Sequence, residues 1–286
     1  RLIFEDYDVL LNIRSETNTR ELSNIDPERQ TRRRRALAPL RQRHLERGAT
    51  GELRWNVTLY PTAAYAQEAD MSVRDFEDFV YRACYCDRDD PVAAWRQVHS
   101  EQERAIAWLR GRDHVRITGS NADLTLSIRG RRFVNSDGHH NMPSGEIFTG
   151  PVEDSANGWV RFTYPALTEG REVEGIELTF EEGRVVKASA EKNEALLLRM
   201  LEADEGSRYL GEFAIGTNFG IQQFTKNILF DEKIGGSFHL ALGAGYPETG
   251  SQNRSAIHWD MICDMRDGGE IEVDGELLYR DGEFVI

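Results

Sequence analysis

The stretch SAIHWDMICD (residues 255–264) combines the dense apolar side chains of a buried strand with regularly spaced polar ones. Ile and Trp favour pleated surfaces, so we predict a strand here. Side chains alternate between the two faces of a strand, so His258 and Asp260 point one way while Ile257, Trp259 and Met261 point the other. An imidazole beside a carboxylate on such a face is either a buried hydrogen-bonded pair or a pair of metal ligands.

The chain around this stretch consists of short alternating segments separated by glycine-containing turns. We predict a β-rich, barrel-like domain over residues 113–286, interrupted by one helix near residues 191–202, and a strand over residues 173–180. Residues 1–112 differ, because Ser72 and Asp90 are predicted N-caps and Asp26-Pro27 opens a further helix, which Pro39 kinks or divides. The predicted fold class is α+β (mixed α/β), with an α/β N-terminal domain over residues 1–112.

The bulk composition is that of an ordinary globular protein of 286 residues, 40% hydrophobic and 29% charged. A formal net charge of −14 argues against nucleic acid or an anionic membrane as the main partner. No apolar run approaches the roughly 18 residues of a membrane span. Three cysteines (Cys84, Cys86 and Cys263) make no disulfide framework, so we expect free thiols and a cytoplasmic protein. Because the chain starts with Arg1, we expect a fragment or a processed form.

Familiar catalytic motifs such as H-E-x-x-H and G-x-S-x-G are absent, which leaves scattered polar residues in apolar or glycine-rich contexts. Taken alone, Glu146 is most simply an exposed loop residue. Glu212 is as consistent with a buried, partnered carboxylate as with an exposed one. His239 alone is most simply a satisfied core histidine, and Glu232 alone indicates little.

Taken together, these residues favour a metal site. Six side chains of carboxylate or imidazole type fall in the β-rich part: Glu146, Glu212, Glu232, His239, His258 and Asp260. Burying several carboxylates together is costly unless cations neutralise them. The set suits Zn²⁺, Co²⁺, Mn²⁺ or Mg²⁺, and it exceeds the needs of one tetrahedral site. Two ions that share a carboxylate would use all six ligands, and their chemistry is hydrolysis.

Several longer blocks resemble the thermophilic metalloprotease family, the aminopeptidase S and aminopeptidase T group. The resemblance covers essentially the whole chain. Its blocks are GELRWNVTLYPTAAYAQEA (51–69), FEDFVYRA (76–83), NSDGHHNMPSGEIFTGPVEDSANG (135–158), LGEFAIGTNFGI (210–221), NILFDEKIGGSFHLALG (227–243), YPETG (246–250) and NRSAIHWDMICDM (253–265).

This resemblance implies a catalytic centre with two metal ions and assigns its ligands to Glu146, Glu212, Glu232, His239, His258 and Asp260. The spacing between Glu232 and His239 leaves open whether Glu232 binds metal directly. The family's active-site tyrosine falls on Tyr246, which donates a hydrogen bond to the oxyanion or positions the substrate. Glu146 or Glu212 shuttles the proton. The resemblance also implies a homodimer, and additional upstream chain that forms part of the N-terminal domain.

The sequence therefore predicts a metal-dependent aminopeptidase that acts on peptides with a free N-terminus. Two alternatives remain: another two-metal hydrolase such as an amidase, and a metal-stabilised interaction domain without activity. His139-His140 also looks like a metal motif, but neighbouring strand residues face opposite ways, so we assign both to a loop near the ligands. The run Arg32–Arg35 is assigned to a solvated helix face.

Overall fold

The computed structural model describes residues 2–22, 25–168 and 170–286. Both predicted N-caps are confirmed, because Ser72 accepts a hydrogen bond from the Asp75 N–H at 3.1 Å and Asp90 accepts one from the Ala93 N–H at 2.9 Å. The second helix continues through Pro39 as one element. Up to residue 112 the elements are α1 (Leu2–Asp6), β1 (Val9–Arg14), α2 (Pro27–Ala49), β2 (Arg54–Leu59), α3 (Ala63–Glu68), α4 (Val73–Ala83) and α5 (Pro91–Leu109).

Strands dominate the rest of the chain. The strand predicted over residues 173–180 is two strands, because Gly175, at a φ of 62°, turns the chain between them. The elements are β3 (His114–Gly119), β4 (Ala122–Ser127), β5 (Val134–Ser136), β6 (Glu146–Thr149), β7 (Asn157–Arg161), β8 (Ala166–Thr168), β9 (Arg171–Val173), β10 (Glu177–Glu181), β11 (Arg184–Ser189), α6 (Glu194–Met200), β12 (Leu210–Gly216), α7 (Ile228–Asp231), β13 (Ser237–Gly243), β14 (His258–Asp264), β15 (Glu270–Val273), β16 (Glu276–Arg280) and β17 (Glu283–Phe284).

The larger sheet has eight strands in the order β11-β10-β7-β4-β3-β15-β16-β17. Its central strands alternate buried and exposed residues, as expected for a sheet with one solvated face. Ile117 and Leu124 point inward and pack in the same apolar core as Phe213 and Met261 of the smaller sheet. The two sheets therefore share one core.

The smaller sheet has five strands in the order β14-β13-β12-β6-β5. All residues of β12 and β13 are buried, so both faces of these strands are covered. The face toward the core carries large apolar side chains, and the opposite face carries polar residues paired across the strands with very small ones. These cross-strand pairs are His258 with Gly243, Asp260 with Ala241, Glu212 with Ala241, His239 with Ala214 and Glu146 with Gly216.

A β-bulge at Gly211 sets the direction of Glu212. The pairing register shifts between Leu210 and Glu212, so Leu210 pairs with Leu242 while Glu212 pairs with Ala241. In a regular strand the side chains two residues apart would share a face. The bulge instead leaves Leu210 in the core and turns Glu212 to the polar face.

The α+β class is confirmed, whereas the barrel-like arrangement is wrong. Across the described residues the strands of the two main sheets form open sheets, and each keeps two edges. A barrel would require the edge strands of one sheet to pair with each other. None of the helices in the described part of the chain is long and apolar enough to cross a membrane.

The N-terminal strand pair reaches the polar face of the smaller sheet through a loop at residues 137–142. The Val57 N–H donates to the His140 carbonyl at 2.8 Å, and the Met142 N–H donates to the Val57 carbonyl at 2.9 Å. The Asn56 side chain also donates to the Gly138 carbonyl at 3.0 Å. The loop is thereby fixed to β2 and forms a wall beside the polar face.

Candidate metal centre

The polar face of the five-stranded sheet brings together five of the six predicted ligands. Each sits where strand alternation, or the bulge at Gly211, points it away from the apolar core. These residues are Glu146 at the start of β6, Glu212 on β12, His239 on β13, and His258 and Asp260 on β14. Glu232 follows α7 and is not on the sheet.

One group of possible ligand atoms surrounds His239. Its Nε2 lies 3.3 Å from Glu212 Oε1 and 3.6 Å from Glu146 Oε2. One donor atom from each of these three residues lies within 4.8 Å of the others, which is close enough for a single ion. We call Glu146, Glu212 and His239 the His239 group.

A second group surrounds His258 and uses the other oxygen of the same glutamate. His258 Nε2 lies 3.4 Å from Glu212 Oε2 and 3.3 Å from Asp260 Oδ1. Donor atoms of these three residues also lie within 4.8 Å of one another. We call Glu212, His258 and Asp260 the His258 group. Glu212 belongs to both groups and presents one oxygen to each.

The carboxylates of the site are poorly balanced by cations of the chain. Burial raises the pKa of three of them: Glu146, Glu212 and Glu232. Asp260 differs, since burial alone would raise its pKa but the neighbouring His258 outweighs this and lowers it to about 2. A buried carboxylate without enough positive partners takes up a proton or binds a cation.

The two imidazoles respond to the same excess of negative charge. Burial alone would lower the pKa of His239, but the carboxylates of Glu212 and Glu146 outweigh it and raise the pKa to about 9. Asp260 and Glu212 likewise overcome the effect of burial on His258 and raise its pKa to about 10. Both shifts favour the positively charged imidazolium, whose charge a divalent ion bound at the same place would replace.

The donor set and its unsatisfied atoms fit divalent ions. Glu146 Oε2 is buried and has no hydrogen-bond partner among the described residues, so its lone pairs are available to a metal ion. The Nδ1 of His258 donates to the Ala244 carbonyl at 2.7 Å, which directs Nε2 into the His258 group. Carboxylate and imidazole ligands together suit Zn²⁺, Mn²⁺ and Co²⁺.

Glu232 lies beside the site and is held by a lysine that sequence reasoning missed. Its carboxylate makes a close ion pair with Lys233, whose side chain is completely buried. Lys233 Nζ also lies 3.7 Å from Glu146 Oε1. A lysine that follows two acidic residues resembles a surface charge, and the apolar neighbours Phe230 and Ile234 were the only indication of burial. Whether Glu232 binds a metal stays a prediction.

A cavity of about 370 Å³ opens onto the polar face and is lined by side chains from both groups. Tyr246 lines it, with its ring centroid 5.3 Å from His258 and 5.2 Å from Phe148. Trp55 and His140 also line it and stack on each other, with centroids 4.4 Å apart. Aromatic side chains therefore line the cavity together with the candidate ligands.

The neighbouring histidines His139 and His140 lie in the loop at residues 137–142, as predicted. His139 Nδ1 contacts Asp137 Oδ1 at 2.6 Å, and His99 Nδ1 contacts Asp137 Oδ2 at 2.7 Å. Both rings line the cavity, but neither belongs to the two ligand groups. Asp137 joins the loop to α5, and so helps to fix the wall of the cavity.

The sequence of the chain matches one known protein family. The profile of the family described as thermophilic metalloprotease (M29) matches residues 1–284 of the chain. Nearly all of the chain is thus covered by a single match. The resemblance found in the sequence blocks is confirmed.

Two curated relatives carry aminopeptidase names. Aminopeptidase 2 of Geobacillus stearothermophilus is 30% identical over 80% of this chain and 62% of its own length. Aminopeptidase AmpS of Bacillus subtilis (strain 168) is 33% identical over 72% of this chain and 58% of its own length. The chain thus spans about six tenths of the length of these relatives.

A solved structure, wild-type AmpT from Thermus thermophilus, has the same fold. It superposes with a TM-score of 0.87 at 25% sequence identity. The match covers 99% of this chain and 78% of AmpT. The arrangement of sheets and helices described above is therefore shared with an experimentally determined relative.

Proposed function

Because the chain belongs to the thermophilic metalloprotease family (M29), we propose that it is a metal-dependent aminopeptidase that hydrolyses N-terminal residues from peptides. One observation carries this proposal: Glu212 presents one oxygen to the His239 group and the other to the His258 group. A carboxylate shared between two ligand sets would hold two divalent ions close together, as two-metal hydrolysis needs.

The proposed ligands are Glu146, Glu212 and His239 for one ion, and Glu212, His258 and Asp260 for the other. Glu232 is a further ligand in this proposal, because it lines the same cavity. We propose two ions for each chain, drawn from Zn²⁺, Co²⁺, Mn²⁺ and Mg²⁺. Such ions supply Lewis acidity, which makes a water nucleophilic at neutral pH and polarises the scissile carbonyl.

The side chains of the protein move and hold the protons. The carboxylate of Glu146 or Glu212 accepts the proton of the attacking water and passes it to the leaving amine. The Tyr246 hydroxyl donates a hydrogen bond to the oxyanion that develops on the carbonyl. Burial, and then the nearby carboxylates, raise the pKa of Tyr246, so this hydroxyl keeps its proton.

We further propose a cytoplasmic homodimer with a domain boundary near residue 112. The family resemblance supports the dimer, and the three free cysteines support a reducing compartment. The boundary is supported by a change in secondary-structure content, since the longer helices precede residue 112 and most of the strands follow it.

The test is hydrolysis of amino-acid p-nitroanilides and short peptides, with the metal-depleted protein and with added Zn²⁺, Co²⁺, Mn²⁺ or Mg²⁺. We expect turnover that depends on metal and on a free N-terminus. Peptides with an acetylated N-terminus are the matched control, and equal cleavage of both forms would indicate an amidase or endopeptidase instead. A folded protein that hydrolyses none of these substrates with any metal would refute the proposal.

A further inference from the structure

Lys233 is a cation built into the candidate centre. Its side chain is fully buried, and its ammonium contacts two carboxylates: it pairs closely with Glu232 and lies 3.7 Å from Glu146 Oε1. A lysine is almost never fully buried unless it is paired. Its position is therefore explained by the negative charge of the site.

The backbone holds this ammonium in place. The Lys233 N–H donates to the Phe230 carbonyl at 3.0 Å, and its carbonyl accepts from the Asn218 N–H at 3.1 Å. The Asn218 side chain in turn donates to the carbonyls of Ala83 and Ser144, at 2.9 and 2.8 Å. Anchors on both sides of the backbone therefore support a fully buried side chain whose ammonium lies beside the two carboxylates.

The two ligand groups differ in their relation to this cation. Glu146 of the His239 group is in direct contact with the ammonium. Within the described residues, the His258 group makes no ion pair with Lys233. A divalent ion entering the His239 group therefore meets the ammonium in contact with one of its ligands, whereas the ammonium reaches the His258 group only at longer range, through its electrostatic effect on Asp260. Repulsion between like charges is strong where water does not screen them.

We propose that Lys233 competes with a divalent ion for Glu146, so that the centre fills in order. The His258 group takes the first ion tightly, and the His239 group takes the second ion more weakly. This inference rests on the proposed two-metal function and adds an unequal affinity to it. Lys233 is a positioning residue here, since it acts on Glu146 and Glu232 and does not line the cavity.

The experiment is a titration of the metal-depleted chain with Mn²⁺. Binding is measured by calorimetry and by electron paramagnetic resonance. Wild type should bind in two steps whose affinities differ by about tenfold or more. Lys233→Met removes the charge and keeps the length, so the second step should tighten by about tenfold while the first changes little. Lys187→Met, at an exposed position of β11, is the matched control and should bind like wild type.

If Lys233→Met fails to fold, Lys233→Gln is the second variant. It removes the charge but keeps a hydrogen-bond donor for Glu232. Two equal steps in wild type, or an unchanged second step in the folded neutral variant, would overturn the inference. Loss of the second ion in that variant would also overturn it, since the lysine would then support binding. Failure of the proposed function has a different signature, namely no hydrolysis when both steps are saturated.

Discussion

The molecule buries carboxylates in two neighbouring places and neutralises them differently. Glu172 on β9 is 13% exposed and is surrounded by three cations of the chain, with Lys192 at 3.1 Å, Lys226 at 3.3 Å and Arg20 at 3.3 Å. Burial alone would raise the pKa of Glu172, but these partners lower it to about 2. We call Glu172 and these three cations the Glu172 cluster.

The candidate metal centre has the opposite balance. Its permanent cation is Lys233, whereas its carboxylates come from four residues: Glu146, Glu212, Glu232 and Asp260. There the pKa of the three glutamates rises and the imidazoles hold protons. Where the chain supplies the cations, a carboxylate stays ionised as part of the structure. Where the chain supplies too few cationic side chains, the carboxylates remain available for ions from solution.

The largest effect should come from removing the shared ligand. Glu212→Gln deletes a charge that both groups use, and we expect kcat/KM to fall by about 100-fold or more. Steady-state kinetics on an amino-acid p-nitroanilide measures it. Glu181→Gln, on an exposed end of β10, is the control and should stay within about twofold. Near-normal turnover of Glu212→Gln would contradict the contrast between the candidate metal centre and the Glu172 cluster, because Glu212 would then not be needed for metal binding.

Metal removal should affect stability through the centre and not through the Glu172 cluster. At an ion concentration 100 times its Kd, binding adds about 2.7 kcal/mol to the free energy of unfolding. Thermal unfolding with Mn²⁺ and after chelation should therefore show a lower Tm in the chelated protein. Glu172→Gln should keep this shift and Glu212→Gln should lose most of it. Identical Tm values for the loaded and chelated wild type would contradict the metal assignment.

Acid should weaken the Glu172 cluster. The folded pKa of Glu172 lies at about 2, below the ordinary value of 4.5, so its contribution is complete above about pH 4.5 and is lost as the pH falls toward 2. Between about pH 5 and pH 3 we expect wild type to lose about 1 kcal/mol more than Glu172→Gln, after allowance for solvent screening. Urea unfolding at several pH values measures this, and parallel curves for the two proteins would count against it.

The smallest effect should follow from removing one cation of the Glu172 cluster. Lys226→Met leaves Glu172 with Arg20 and Lys192, so the free energy of unfolding should fall by only about 0.5 kcal/mol. Urea unfolding at neutral pH is the measurement, with Lys187→Met as an exposed control. A loss above about 2 kcal/mol would mean that the three cations are not interchangeable.

Local patterns predicted much of the fold and most of the candidate centre. Alternation around His258 and Asp260 predicts their shared face, and the N-caps at Ser72 and Asp90 predict where two helices begin. These features depend on neighbours within a few residues. The open sheets did not follow from such patterns, because strand count and turn spacing do not determine whether edge strands meet.

The features of the centre that local patterns do not predict depend on contacts between distant parts of the chain. Glu146 in its own context favours an exposed loop, yet pairing of β6 with β12 buries it to 4% exposure. The bulge at Gly211, which directs Glu212, is defined by the pairing of β12 with β13, so β12 alone does not reveal it. Lys233 is buried because the segment after α7 packs against Gly216 and Asn218 at the end of β12, a contact between segments about 16 residues apart in the chain.

The very small residues opposite the ligands have a consequence for how the chain tolerates mutation. Ala214 and Ala241 carry no functional group, but each stands across a strand from a candidate ligand and leaves space above the sheet, whereas Gly216 and Gly243 allow the backbone of Ile234 and Ile257 to approach closely. A substitution as mild as Ala241→Val would fill the volume where an ion sits. In a saturation scan scored by turnover, the two alanines should therefore be as intolerant as the ligands, while substitutions at the two glycines should already fail a scan scored by folding.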